Sequence, residues 1–242
     1  MKLYKYCSYS ANTLSIFINR KVWYSKPADF NDPFDGDFLV DNICSFEEYL
    51  EIFGSELSPE VYEAYKKEIC DESGNLNPDK IAEHSSMAGV FKNVGVLCMT
   101  PRWDSTLMWS HYADKHCGFV IQFDIKADIP VSKVNYADKL PKNHLAYYCK
   151  RRTVDGYIDI EFTKHIDWLY EDEYRLCVNE GNRLVDIPGN ISKVIFGCKM
   201  PDTQKETIAN LVSLFPENQG VTLLKSEKMD DLSLMLTEYD KT

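Results

Sequence analysis

The 242-residue chain is 44% hydrophobic and 13% aromatic, enough to bury a sizeable core, which excludes a low-complexity or disordered protein. Its 27 lysines and arginines stand against 38 aspartates and glutamates, and the formal net charge of -11 makes bulk binding to nucleic acid or anionic membrane unfavourable. No apolar run approaches the roughly 20 residues of a membrane span, and the opening MKLYKYCSYS lacks the apolar segment of a signal peptide, so a cytoplasmic protein without membrane attachment is expected.

In chain order, SANTLSIFINRK begins with the capping residues Ser10 and Asn12 and spaces Leu14, Phe17 and Ile18 as a helix does; KVWYSKP then reads as a strand stopped by Pro27. The turn-rich SKPADFNDPFDGDF offers Asn31, Asp32, Asp35 and Asp37 beside three phenylalanines. Either Asn31 and Asp32 form an Asx-turn before Pro33, or the loop supplies polar groups to a cleft. From about 45 to 94 three charged segments each open on a helix-start signal, which predicts a helical insertion. Beyond it, VGVLCMT, GFVIQFD, VSKVNYA, EYRLCVN, ISKVIFG, GVTLLKSE and SLMLTEY read as strands, with helices at about Ser105 to Asp114, at about Tyr157 to Trp168, and in MPDTQKETIANLVSLF. Strands outnumber helices without regular alternation, so the expected fold is α+β, one domain over 1–242 with a mixed or antiparallel sheet core. The eight cysteines are scattered with no CxxC pair and read as free, mostly buried thiols.

Two segments concentrate chemistry. In MWSHYADKHCGFVIQF, helical spacing puts Leu107, Met108, His111 and Tyr112 on one face, flanked by Trp109 and Ala113, and so places His111 on the apolar side. His111 and His116 stand five apart, unlike the paired ligands of a zinc helix, and no metal site is expected there. In DWLYEDEYRLCV, Glu171, Glu173 and Arg175 recur at period two, which in a strand sends all three to one face and Tyr174 and Leu176 to the other. They would form a salt-bridge ladder on a solvated face, or a carboxylate held in a cleft beside Arg175 as a base or a cation stabiliser. GxGxxG, GxxxxGK[ST] and GxSxG motifs are all absent.

LYKY at 3–6, VWYSKPADFNDPFD at 22–35, MWSHYADKHCGFVIQF at 108–123 and WLYEDEYRL at 168–176 together resemble the motifs of the bacterial DUF2971 family of unknown function. The opening LYKYCSYSANTLSIFINRKVWYS and the unit YEDEYRLCV are also similar to ADP-ribosyltransferase-like folds, with Lys5 and Tyr6 where those proteins usually carry a histidine. That second resemblance implies NAD as a substrate, Glu173 as catalytic carboxylate with Glu171 as its alternate, and Tyr24 or Tyr6 stacked on nicotinamide. Arg175, Lys5 or Arg20 would then neutralise pyrophosphate, while Trp109, His111 and Tyr112 close the cleft beside Asn31 and Asp32. The role implied is a toxin or phage-defence effector, with a protein inhibitor or a homo-oligomer as possible partners. Two other readings stay open: a nuclease or phosphodiesterase holding Mg²⁺ or Mn²⁺ on Asp32, Asp35, Glu171 and Glu173, and a non-catalytic module that binds a ligand or partner.

Overall fold

The structure, a computed structural model, describes residues 1–35, 46–47, 50, 58–77, 93–139, 153–154, 157–158 and 162–240. Asp37 and half of the expected insertion lie outside the described residues. The described chain is α+β with mixed sheets.

The larger sheet has the order β1, β4, β12, β13, β14, from strands β1 (Lys2–Cys7), β4 (Phe119–Ile125), β12 (Gly189–Phe196), β13 (Thr222–Lys228) and β14 (Leu234–Glu238). Its pairs are antiparallel except β12 with β13. Strand β4 is buried along nearly its whole length because both faces of the sheet are covered. Phe119, Ile121, Phe123 and Ile125 enter the main core with Ile16 and Phe17 of helix α1 (Ala11–Ile18) and with Ile208 and Val212 of α4 (Asp202–Leu214). On the opposite face Val120 packs with Tyr6 of β1 and with Met108, Trp109 and Ala113, from and just after helix α3 (Thr106–Tyr112). Helix α1 starts as its sequence indicates: the Ser10 hydroxyl accepts the Thr13 amide, while the Thr13 hydroxyl accepts the Ser10 amide.

A second sheet runs β3 (Gly95–Met99), β10 (Tyr174–Val178), β8 (Tyr157–Ile158) and β7 (Thr153–Val154), with β5 (Ser132–Lys133) also on β10. Leu97, Met99, Leu176 and Val178 close the main core, whereas Val96 and Cys177 join Val134 and Phe162 on the reverse side. Two short pairs complete the framework, β2 (Lys21–Tyr24) with β11 (Arg183–Asp186) and β6 (Asn135–Ala137) with β9 (Thr163–His165). Isolated bridges at Tyr4–Thr100 and Ser25–Val96 tie β1 and the end of β2 to β3.

Two expectations need correction. The described residues of the stretch from Tyr157 to Trp168 form no α-helix: they give β8, β9 and then a 3-10 turn over Ile166–Glu171. Its β-branched and aromatic residues suit short pleated pieces more than a continuous helix. VSKVNYA is divided into β5 and β6, because Val134 turns into the small core and its amide bonds the Glu173 carbonyl. Within the expected insertion, helix α2 (Pro59–Ile69) supplies Ile69, Tyr62 and Tyr65 to a separate small cluster with Phe46 and Leu76.

Among the described residues Cys7, Cys98, Cys117 and Cys198 are free thiols. Among the described residues no helix is long and apolar enough to cross a membrane.

Candidate functional site

A cavity of about 360 Å³ opens between β1, the end of β2, α3 and the ends of β9 and β10. Its walls are aromatic, with Tyr4, Tyr6, Trp23, Phe30 and Tyr112 contributing, and its floor is charged.

The floor is assembled by four local decisions. Asp32 makes an Asx-turn, its Oδ1 accepting the Phe34 amide at 3.0 Å, and the turn closes with the Asp35 amide on the Asp32 carbonyl; this aims the Asp35 carboxylate inward. Strand β9 sends Lys164 into the interior. The 3-10 turn ends at Glu171, and Asp172 takes a left-handed conformation (φ 43°) that lets Glu173 point to the same side before β10 begins. Aspartate tolerates that conformation better than most residues. Arg175 follows at strand period, fully buried against the rings of Phe162 and Phe30, 4.5 and 5.3 Å from their centroids.

The resulting network holds three carboxylates and two cations, all nearly excluded from solvent. Arg175 grips Asp35 with two bonds of 2.6 Å and Glu173 with bonds of 2.8 and 2.9 Å. Lys164 donates to Glu171 at 2.6 Å, reaches Glu173 at 3.4 Å and Asp35 at 3.7 Å, and lies 4.7 Å from the Trp168 ring centre. The Tyr112 hydroxyl donates to the other oxygen of Glu171 at 2.5 Å and accepts from the Asn31 amide at 3.4 Å. Charges this deep are tolerable only as pairs with satisfied hydrogen bonds.

The two glutamates are driven apart. Burial pushes both carboxyls up, but the Arg175 guanidinium and then Lys164 overcome it at Glu173 and hold that group to about 2. At Glu171 burial prevails over Lys164, and its value is raised. Burial alone would lower Lys164, yet Glu173 and Glu171 raise it above its ordinary value, so it is a cation. Burial and the neighbouring Glu171 likewise raise the Tyr112 phenol, which is a donor throughout the neutral range.

The predicted residues divide clearly. Lys5, Tyr6, Asn31, His111, Tyr112, Glu171, Glu173 and Arg175 all line the cavity. Tyr24 and Trp109 are fully buried core residues outside that lining, Trp109 donating its indole N–H to the Trp103 carbonyl at 2.8 Å. Asp32 acts through its turn, with no place in the lining. His111 is not on the apolar side of α3: the buried stripe is Met108, Trp109 and Ala113, and Leu107 is exposed. It stands at the mouth instead, 6.1 to 6.4 Å from the ring centres of Tyr112, Trp168 and Tyr170. The helix lies with Trp109 down because the indole fills the gap over β1, edge-on to Tyr6 at 5.3 Å. Nor is the Glu173–Arg175 pair a solvated ladder. Arg175 is committed to Asp35 and Glu173, which removes it as a pyrophosphate ligand, and Arg20 bonds the Glu217 carbonyl outside this cavity.

Lys164 was not among the expected residues. In the sequence it stands as an ordinary lysine in the mixed polar and aromatic segment EFTKHIDW, which offers no signal for the role. Of the carboxylates proposed as metal ligands, Asp35, Glu171 and Glu173 are spent on Arg175 and Lys164 and Asp32 accepts in its turn, and no group of three or more His, Cys, Asp or Glu among the described residues is arranged to hold a metal ion.

Residues 108–176 match the family described as "Protein of unknown function (DUF2971)", which supports assignment to that family. The matched span runs from α3 into β10 and carries the whole floor except Asp35. No curated protein and no solved structure matches the chain.

Proposed function

We propose that the cavity takes the nicotinamide-ribose end of NAD and that Glu171 stabilises the oxocarbenium-like cation formed as the N-glycosidic bond breaks. One observation carries the reading: a buried glutamate with a raised pKa sits at the floor of an aromatic-walled cavity, between the Tyr112 phenol and Lys164. Burial disfavours the Glu171 anion, so positive charge developing beside it is strongly favourable in a site where water cannot screen the pair. Glu171 is preferred over Glu173 because the Arg175 guanidinium spans both oxygens of Glu173 and makes that carboxylate a brace, whereas the oxygens of Glu171 meet only a phenol and a lysine ammonium. Among the described residues Lys5, from β1, is the lining lysine that remains for phosphate, and the aromatic walls suit a planar heterocycle. The opening motif and YEDEYRLCV, similar to ADP-ribosyltransferase-like folds, support the same chemistry. A toxin or defence effector is the corresponding role by analogy.

Incubation with NAD is expected to release free nicotinamide, measured chromatographically, with release abolished in Glu171→Gln. Absence of nicotinamide with water and with protein or nucleic-acid acceptors present would overturn the reading. The complete pairing of the floor favours a second reading, a non-catalytic nucleotide-binding module. Calorimetric binding of NAD or ADP-ribose without turnover would select it.

A further inference from the structure

We propose that Cys198 and His116 form a second reactive centre, a thiol primed to attack a small electrophile that carries an anionic group. The two meet on the far side of α3 from the floor network. His116 lies flat against the Trp109 indole, with ring centres 6.1 Å apart and planes 11° from parallel. Its Nδ1 stands 4.0 Å from the Cys198 sulfur and its Nε2 3.2 Å from the Ser110 hydroxyl oxygen.

The proton inventory fixes the direction of these contacts. Ser110 has one hydroxyl proton and donates it to the Thr106 carbonyl at 2.8 Å, so its oxygen can only accept from the imidazole. The ring proton therefore sits on Nε2, and the lone pair of Nδ1 faces the thiol. This is the nucleophile, base and orienting group arrangement that activates cysteine. Burial, and secondarily Lys199, lower His116 below its ordinary value, which keeps the ring neutral and able to take a proton.

Backbone geometry holds the pair together. Asp114, Lys115 and His116 are three successive left-handed residues (φ 46°, 53° and 72°), a conformation that non-glycine residues adopt at a cost and that the surroundings must enforce. The Lys199 amide bonds the His116 carbonyl at 3.1 Å and the Gly197 amide bonds the Gly118 carbonyl at 2.9 Å, clamping the cysteine loop to the histidine turn. Cys198 and His116 open on a cavity of about 300 Å³ whose other walls include Lys199, Lys228, Met229, Leu232 and Leu234. Two ammonium groups beside an apolar wall suit an electrophile with a short apolar body and an anionic end.

The test is competitive alkylation of the folded full chain with iodoacetate and, separately, iodoacetamide, quantified per cysteine by peptide mass spectrometry. With iodoacetate the sulfur forms an S–C bond as the C–I bond breaks, iodide leaves, and the thiol proton passes to Nδ1 of His116. Cys198 is expected to react about tenfold or more faster than Cys117, which is similarly half-buried, and to favour iodoacetate over iodoacetamide more than Cys117 does. His116→Gln should lower the Cys198 rate about tenfold or more, and Ser110→Ala by several-fold through loss of the tautomer lock, with Cys117 unchanged as the control for folding. A Cys198 rate no greater than that of Cys117, the same reagent preference at both thiols, or an unchanged rate in either variant overturns the proposal.

Discussion

Arg175 holds Asp35, 140 positions earlier in the chain, through two parallel 2.6 Å bonds in which the two terminal guanidinium nitrogens meet both carboxylate oxygens. The pair fastens the loop after β2 to the start of β10 and does so entirely out of water. Its geometry is the fork-to-fork match that arginine makes and lysine does not.

Arg175→Lys is accordingly not conservative. A single ammonium cannot serve Asp35 and Glu173 together, and whichever carboxylate is left becomes a buried, poorly paired charge. Unfolding free energy from urea titration should fall by about 3–5 kcal/mol, and a loss under about 1 kcal/mol would show that water or a rearrangement satisfies the carboxylates instead.

Glu171 and Glu173 should separate cleanly on replacement by glutamine. Glu173→Gln removes the anion that Arg175 and Lys164 both address and should cost about 3 kcal/mol or more. Glu171→Gln keeps the shape and removes a charge that burial already disfavours, so its stability should lie within about 1 kcal/mol of the parent while nicotinamide release is lost. Denaturant unfolding and the release assay on both variants decide the matter; equal stability losses would contradict the division into brace and reactive group.

The same two groups set opposite arms of the stability profile. Glu173 has a folded value of about 2 against an ordinary 4.5, so its contribution is present above pH 4.5 and is lost as pH falls from there towards 2. Glu171 is raised, so its contribution is present below 4.5 and is lost as pH rises through its folded value. Thermal unfolding followed across pH should show the acid loss in both the parent and Glu171→Gln, with the decline on the alkaline side of 4.5 reduced in the variant. A variant profile identical to the parent above pH 4.5 would count against the raised Glu171.

Tyr112→Phe tests the phenol–carboxylate bond. That bond favours the ionised form of Glu171, so its removal should raise the Glu171 value further. Carbon-detected NMR titration of the glutamate side chains would read the shift directly, and the acid limb of nicotinamide release should move to higher pH with it. A shift to lower pH would mean that Tyr112 accepts instead of donating.

Much of the framework was legible because it depends on short-range pattern. The cap at Ser10, the helix after Ser105 and the apolar run GFVIQF announce themselves through spacing alone. The period-two argument also put Glu173 and Arg175 on one side of the chain as it enters β10, although Glu171 reaches the network from the end of a 3-10 turn. What stayed hidden needs partners distant in sequence. Asp35 is recognisable as a network member only once Arg175 is seen to reach it, and Lys164 only when β9 is seen to bring it beneath Glu171. His111 was misplaced because helical periodicity finds an apolar stripe of several residues but not its rotation, which the fully buried Trp109 decides here.

Tyr4 bonds Thr100 through both its amide and its carbonyl, at 2.7 and 2.9 Å, and gives its hydroxyl proton to Gln122 of the neighbouring strand at 2.8 Å. The ring that forms part of the cavity wall is thus also the seam between the two larger sheets. A guest that pushed this wall aside would have to unpick main-chain bonds on one side and a buried glutamine contact on the other. The chamber should therefore behave as a stiff mould, sorting its guests by outline, and its selectivity should survive changes at the rim better than any change at the seam.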